Sequence, residues 1–473
     1  MWKVNIEITI SSDDDTKEEK KIQVQIEESI PDGFQNLDKW EQCVRNVGFK
    51  SMRELFKNGI GLHEEKVLSE YTHCKEIKND KHCYDKSCHM VRCGQREFTL
   101  KTAFGEVRFP RQRMFCKTCG KWLIPLNDAL GLHDDENEKS TIGFKELSGL
   151  CSVNQPYRLA ADMIRQVTQD PDIVSHEHVR QLVQEEGRLV RQMEEENRKD
   201  AVFCFIKSLQ NNPSGYHPYS GRMYICLDGV FVRSNSGKDR FHEGKVGFIC
   251  TDARESAGNR LRILNKRYVS SFEDSYVFGG RLRGEALRLA IRLYKEVFII
   301  GDGARWIREI REQCFPGTIY ILDWYHLKEK LYRALRITLP DTSMKDTYTK
   351  FSTYLWMGLK ENALNELKLL YNQLITEGKQ SLLSQHEGLE ELIGYIESNW
   401  EGIVDYHRLS QSGYVISSCL VEKAVDLVVS KRQKKSQGMH WSQIGADNIC
   451  ALRTLWLNGD WKGYWWERRE KAA

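Results

Sequence analysis

Residues 296–326 contain two unbroken apolar runs, 297–300 and 319–322, and an aspartate stands at or just beyond the end of each. A run without polar interruption suits a strand covered on both faces, with polar groups appearing only where the strand leaves the sheet. The segment between the runs reads as a short amphipathic helix. In such a sheet the carboxyl ends of the strands are where catalytic side chains gather. Asp302 stands between Gly301 and Gly303, which leave room for a ligand or a second backbone to approach. Asp302 is therefore expected to bind a catalytic metal. A helix-capping aspartate at a strand-to-helix turn is the simpler alternative.

At 473 residues the chain exceeds the ~250–300 at which single cores stop growing, so several domains are expected. Its 12 Trp, 19 Tyr and 18 Phe are ample for packed cores and exclude global disorder. No run reaches the ~20 apolar residues of a membrane span, and the first residues lack the basic-then-apolar order of a signal peptide. The expectation is a cytoplasmic protein without a membrane partner. Fourteen cysteines in such a chain argue against a disulfide scaffold. Five of them fall between residues 83 and 119, a density that suggests a metal.

Six regions follow in order. Residues 1–70 begin with period-two alternation (Val4, Ile6, Ile8, then Ile22, Val24, Ile26), a β-hairpin pattern, followed by one or two amphipathic helices over 38–57. Residues 71–130 read as a zinc-ribbon-like domain. The C-x-x-C of Cys116 and Cys119 pairs with Cys83 and Cys88 as a structural zinc set, with Cys93, His82 or His89 as substitutes. Strands over 98–107 turn at Gly105, and Arg108, Arg111 and Arg113 crowd the second. Residues 131–200 hold a helix-turn-helix-like pair. Leu159, Ala160, Met163, Ile164 and Val167 recur at helical spacing. Ser175 is placed to cap the second helix and Val174 to staple onto Val179. A plain α-hairpin, or a coiled-coil contact continuing to Met193, fits the same pattern.

From residue 221 to 326, strands and helices alternate as three strands, helix, strand, helix, strand, the order of a ribonuclease H-like core. Residues 327–410 read as a helical insertion. Residues 411–473 carry a further helix capped by Ser417-Ser418, with Glu422 and Asp426 four apart on one face, and a basic C-terminal region. The expected fold class is thus multidomain α+β, with a ribonuclease H-like catalytic core preceded by zinc-ribbon-like and helix-turn-helix-like regions. Two strand-ending aspartates and a carboxylate on a later helix form a set able to hold two magnesium ions for in-line phosphoryl transfer. Asp228, Asp302 and Glu422 are the expected triad; Asp252 and Asp323 also end apolar runs and are rivals. Lys431, Arg432, Lys434 and Lys435 lie about two to four helical turns beyond Glu422, within reach of a DNA backbone.

The motifs LDGV (227–230), GDGARWI (301–307), LDWYH (322–326) and VEKAVDLVVSKRQKKSQGMHWSQIGADNICALR (421–453), with KTAFGEVRFPRQRMFCKTCGKWLIPLNDALGL upstream, resemble those of DDE transposases of bacterial insertion sequences. The resemblance covers about residues 83–465. It is specifically to the ISKra-type group, with kinship to Mutator-like transposases. It implies Asp228, Asp302 and Glu422 as the metal-holding triad and leaves Asp323 and His326, an aspartate three before a histidine, in an accessory role. It also implies element-end and target DNA as partners, a homodimer or larger synaptic assembly, and residence at the nucleoid. Two departures stand out. The first cysteine pair has four intervening residues, and Ser417-Ser418-Cys419 replaces a Gly-Ser-Gly approach to the glutamate helix. The alternatives are a catalytically decayed or domesticated sequence-specific DNA-binding protein and a ribonuclease H-like nuclease.

Overall fold

The structure, a computed structural model, describes residues 2–11, 19–30, 37–70, 89–132, 139–211, 219–237, 239–256, 260–383, 385–435 and 439–471. Over 2–11, 19–30, 70, 208–211, 219–220, 252–256, 260–262, 264 and 382 it describes backbone alone. The fold is multidomain α+β, in two compact units: 1–186 with 461–473, and 187–460.

The first unit opens on an antiparallel pair, β1 (Trp2–Ser11) and β2 (Glu19–Ile30). Its register sets Ile6 opposite Val24 and Ile8 opposite Ile22, as the alternation requires. One helix, α1 (Leu37–Glu70), replaces the short segments expected over 38–57. An antiparallel sheet follows from β3 (Met90–Thr102), β4 (Gly105–Cys116) and β5 (Trp122–Leu123), turning at Gly105 as read from the sequence. Both long strands extend well beyond the expected 98–107. Phe98, Leu100, Val107, Phe109 and Leu126 form its core. Arg111 is not a surface arginine: it is buried, lies over the Phe98 ring at 4.1 Å and donates to Asn127 Oδ1.

Helices α2 (Pro125–Leu130), α3 (Ile142–Ser152), α4 (Tyr157–Thr168) and the first turns of α5 (His176–Asn211), whose residues from 187 on belong to the second unit, complete the helical part. Ser175 Oγ accepts from the amide of His178, and Val174 and Val179 are both buried, so the expected start of α5 stands. The face of α4 is corrected. It buries Ala160, Ala161 and Ile164, whereas Leu159, Met163 and Val167, one turn apart, point outward. Two apolar stripes share that helix, and the sequence does not say which one packs. A C-terminal helix, Trp461–Glu470, belongs to this unit; Tyr464 and Arg468 both donate to the carboxylate of the buried Glu186.

The second unit is built on a five-stranded sheet of β6 (Tyr219–Arg233), β7 (Phe241–Ser256), β8 (Arg260–Ser271), β9 (Tyr294–Gly301) and β10 (Ile319–Leu322), in the order β10-β9-β6-β7-β8. The first three strands form an antiparallel meander, and β9 and β10 run parallel to β6. Parallel neighbours need crossovers; α6 (Ser275–Arg288) and α7 (Arg305–Cys314) supply them. Helices α8 (Trp324–Thr338), α9 (Asp341–Trp356), α10 (Lys360–Thr376), α11 (Gln380–Leu383), α12 (Leu389–Ser398) and α13 (Tyr406–Gln411) make up the insertion. It begins a few residues earlier than the sequence suggests. After it come α14 (Cys419–Val425), a π-helical turn (Asp426–Ser430), α15 (Lys431–Gln433) and α16 (Gln443–Leu457).

Helix α16 is fixed by a buried ion pair. Arg191 Nε donates to Asp447 Oδ2 at 2.9 Å and Nη2 to Oδ1 at 3.0 Å, and the amide of Phe272 also donates to Oδ1. Truncating one partner strands a buried charge, although Arg281, 3.6 Å from Asp447, relieves part of it. Arg191→Met is expected to cost about 3 kcal/mol, read as a lowered urea midpoint. An Arg191→Met, Asp447→Leu double variant should recover much of the loss.

Candidate carboxylate site at the sheet edge

The register of the three parallel strands decides which acids meet. Cys226 pairs with Ile300 and Leu322 with Gly301. Two further residues on β6 and β9, and one on β10, bring Asp228, Asp302 and Asp323 level on adjacent strands, which lie about 4.8 Å apart. Asp228 does not end its strand, as the short apolar run suggested. Strand β6 continues to Arg233 against β7, and Asp228 sits where pairing with β9 stops. Its Oδ1 accepts from the amide of Gly229, and Asp302 Oδ1 accepts from that of Ala304, so both carboxylates are oriented by their own turns. Asp252 lies on β7 among residues described in backbone alone.

Helix α14 packs on β6 and β7 and carries Glu422, whose side chain is exposed. Ser418 was expected to cap this helix through its hydroxyl. It does not, because its backbone is near-helical (φ −80°, ψ 6°) instead of extended. The cap is replaced by a tertiary bond, in which the Ser418 amide donates to Asp323 Oδ2. Asp323 is fully buried and also caps α8 by accepting from the amide of His326 at 3.0 Å. Burial pushes its carboxyl up, but the hydrogen bonds from His326 and Ser418 outweigh this and hold it below the usual range. His326 Nδ1 lies 3.5 Å from Asp323 Oδ1, a charge contact too long for a good hydrogen bond. Asp323 beside the ring, with Asp302 and Asp228 further off, raises the imidazole to about 9 against the opposing effect of burial. His326 is therefore a cation at neutral pH among these acids.

Asp228 is pushed up to about 6, first by burial and then by the charges of Asp302 and Glu422, while His326 opposes the rise. The charges of Asp302 and Glu422 thus both bear on Asp228. Hard oxygen donors from three elements, one of them driven toward protonation by its neighbours, suit a divalent cation such as magnesium, which would relieve that repulsion. Among the described residues no three His, Cys, Asp or Glu side chains form a ready-made metal cage. Magnesium is commonly held by one or two carboxylates together with waters and substrate phosphates, so an open site is compatible with it.

Asp426 does not join Glu422 in the site. The Lys435 ammonium, 2.6 Å away, holds its pKa low, and the π-helical turn starts at this residue. Arg453, which no sequence signal flagged, sustains that turn. It is buried and donates to the carbonyls of Leu427 and Val428, which lie within the π turn. Of the four basic residues expected on DNA, Lys431, Lys434 and Lys435 are exposed. Arg432 is corrected: it is fully buried, 5.1 Å from the Trp441 ring. The helix turns its side chain into the core, where its charge meets an aromatic face.

At the cysteine cluster, the Cys119 amide points at Cys116 Sγ (3.5 Å), and the Lys117 amide donates to the His89 carbonyl. An N–H aimed at the first sulfur of a C-x-x-C suits a thiolate that binds a metal. Cys83, Cys88 and His82 lie outside the described residues. Cys93 is exposed on β3, three residues beyond the Met90–Cys116 pair, or about 10 Å along the strand. His89 adjoins that pair and is the better substitute of the two described candidates.

Residues 75–470 match the family described as "Uncharacterised protein family (UPF0236)". A UPF0236 protein in the vanSb 3′ region of Streptococcus gallolyticus is 24% identical over 431 residues, covering 88% of this chain and 85% of that protein. A UPF0236 protein of Caldanaerobacter subterraneus subsp. tengcongensis, whose name joins eleven loci, is 23% identical over 372 residues, covering 76% of this chain and 68% of its own length.

The crowding at Asp228 has a sign that can be measured. A carboxyl raised above its unfolded value favours folding while protonated, below about pH 3.8, and loses that contribution as pH rises through about 6. Ionised Asp228 therefore costs stability at pH 8 in metal-free protein. Asp228→Asn keeps an oxygen for the Gly229 amide and removes the charge. It is expected to stabilise the metal-free protein at pH 8 by about 1–2 kcal/mol, a rise of roughly 2–8 °C in Tm. The gain should vanish near pH 4; no gain at pH 8 would contradict the burial and crowding of this carboxylate.

Proposed function

The chain belongs to the UPF0236 family, and we propose that it is a DDE-type DNA transposase, akin to the ISKra-type group, that cleaves element ends and joins the freed 3′-hydroxyl to target DNA. The observation that carries this reading is that Asp228 and Asp302 stand level on adjacent strands at the edge of the sheet, with the charges of Asp302 and Glu422 both bearing on Asp228. The strand order, an antiparallel meander flanked by two parallel strands, supports a ribonuclease H-like core for the second unit. A relative whose name covers eleven loci of one strain fits a multicopy element.

In this reading Asp228, Asp302 and Glu422 hold two magnesium ions. When bound, these supply the activated water and the charge stabilisation of in-line phosphoryl transfer. The chain's own groups do the positioning. Asp323 anchors the start of the Glu422 helix to the end of β10, and the His326 imidazolium offsets acidic charge beside Asp302 and Asp228. Lys431 and Lys434 offer exposed cations for phosphates, which set register on DNA without reading sequence, and Lys435, exposed too, would have to give up Asp426 to join them. A structural zinc on Cys83, Cys88, Cys116 and Cys119, and the helix pair α4–α5, would serve element-end recognition. Pairing two element ends calls for a dimer or larger assembly, working at the nucleoid in the cytoplasm. No helix among the described residues is long and apolar enough to cross a membrane.

The test incubates purified protein and magnesium with labelled DNA of its own element ends. Wild type should give end-specific nicks and joined products. Asp302→Asn and Glu422→Gln should lose at least about 100-fold of that activity while still binding the DNA. Undiminished activity in either variant would remove that residue from the site. Binding without cleavage by the wild type would identify a decayed or domesticated DNA-binding protein. Cleavage with no joined products and no need for element ends would identify a nuclease.

A further inference from the structure

The turn that carries Asp302 is held from the side by the helical insertion. Tyr395, on α12, donates its hydroxyl to the Asp302 carbonyl at 2.6 Å. Asn399, directly after α12 and almost fully buried, accepts from Arg308 Nη1 at 2.9 Å, and the same guanidinium nitrogen donates to the Gly303 carbonyl at 3.1 Å. Asn399 Nδ2 in turn donates to the Tyr395 carbonyl. Gly303 has φ +86°, and a Cβ there would lie 2.8 Å from the Asn399 amide, so only glycine admits this approach. Two consecutive carbonyls of the turn, those of Asp302 and Gly303, thus take donors from Tyr395 and from an arginine that Asn399 holds in place.

We propose that the insertion acts as a clamp on the second carboxylate, with Tyr395 and Asn399 as positioning residues that set the Asp302–Gly303 turn for metal binding. The proposal rests on the reading of Asp302 as a metal-holding residue. A backbone carbonyl tied to a helix restricts the turn directly, and Asp302 Oδ1 is already committed to the Ala304 amide of the same turn. Loosening the turn therefore misplaces the carboxylate without removing it. Sub-ångström placement of ligands is what metal sites demand of their supporting residues.

The test uses the full chain and two readouts other than DNA cleavage: hydrogen–deuterium exchange resolved to residues 302–304, and Mn²⁺ binding followed by electron paramagnetic resonance. Tyr395→Phe removes one hydroxyl. It is expected to speed exchange at 302–304 at least about tenfold, leave the β6 segment around Asp228 unchanged, and weaken Mn²⁺ binding by roughly 10-fold or more. Arg308→Gln, at a half-exposed position, should act in the same direction and covers the case in which Tyr395→Phe fails to fold. Tyr406→Phe is the control, because its hydroxyl donates to Leu322 on β10 and should leave 302–304 as in wild type. Wild-type exchange at 302–304 in both Tyr395→Phe and Arg308→Gln overturns the clamp. So does faster exchange of equal size in Tyr406→Phe. If the wild type itself binds no Mn²⁺, the metal reading of Asp302 fails, and the clamp as a metal-positioning device is overturned with it, whatever the exchange shows.

Discussion

One buried carboxylate joins the two halves of the candidate site. Asp323 stands at the end of β10, accepts the amide that opens α8, and accepts a second amide from Ser418 at the head of the Glu422 helix. Residues 324–417 separate it from Ser418 along the chain. One other bond ties the same junction, from the Trp324 amide to the Ile416 carbonyl at 3.3 Å, and apolar packing of α14 on β6 and β7 does the rest. Burying an ionised aspartate is costly unless its oxygens are hydrogen-bonded. Both oxygens of Asp323 have partners, and the depressed pKa follows from that.

The same edge concentrates negative charge that one amide bond to each of Asp228 and Asp302 relieves only in part. Asp228 and Asp302 stand level on adjacent parallel strands, and the upward shift of Asp228 reports its burial first and then the charges of Asp302 and Glu422. His326 is the built-in counter-charge, raised first by Asp323 and to a lesser degree by Asp302 and Asp228. Perturbed carboxylates of this kind cluster at functional sites, although ion-pair networks perturb them too. The π-helical turn after Glu422, with its carbonyls engaged by Arg453, belongs to the same pattern of local irregularity beside function.

Much of the scaffold was legible in residue order. Apolar runs located the strands, Ser175 and Val174 located the start of α5, and Gly105 located the turn of the β3–β4 hairpin, because each signal is set by neighbours a few residues away. Readings failed where two local options had similar energy. Helix α4 has two apolar stripes, and packing chose Ala160, Ala161 and Ile164 over Leu159, Met163 and Val167. Arg432 reads as one of a basic run, yet the direction in which the helix turns it buries it by Trp441. Tyr395, Asn399 and Arg453 carried no signal, since nothing nearby in sequence marks a residue whose partner lies tens of residues away.

The sequence by itself determined the type and order of the elements and the identity of the acids that end or interrupt them. Backbone propensity and apolar periodicity act over one strand or a few helical turns, and that range suffices for both. Only the tertiary structure decided that Asp228, Asp302 and Asp323 share one level, because strand register is a property of the sheet and not of any strand. It alone decided that Ser418 offers its amide, not its hydroxyl, and that Asp426 belongs to Lys435, not to Glu422. These outcomes depend on which distant group arrives with the right geometry, and that is settled when the core closes.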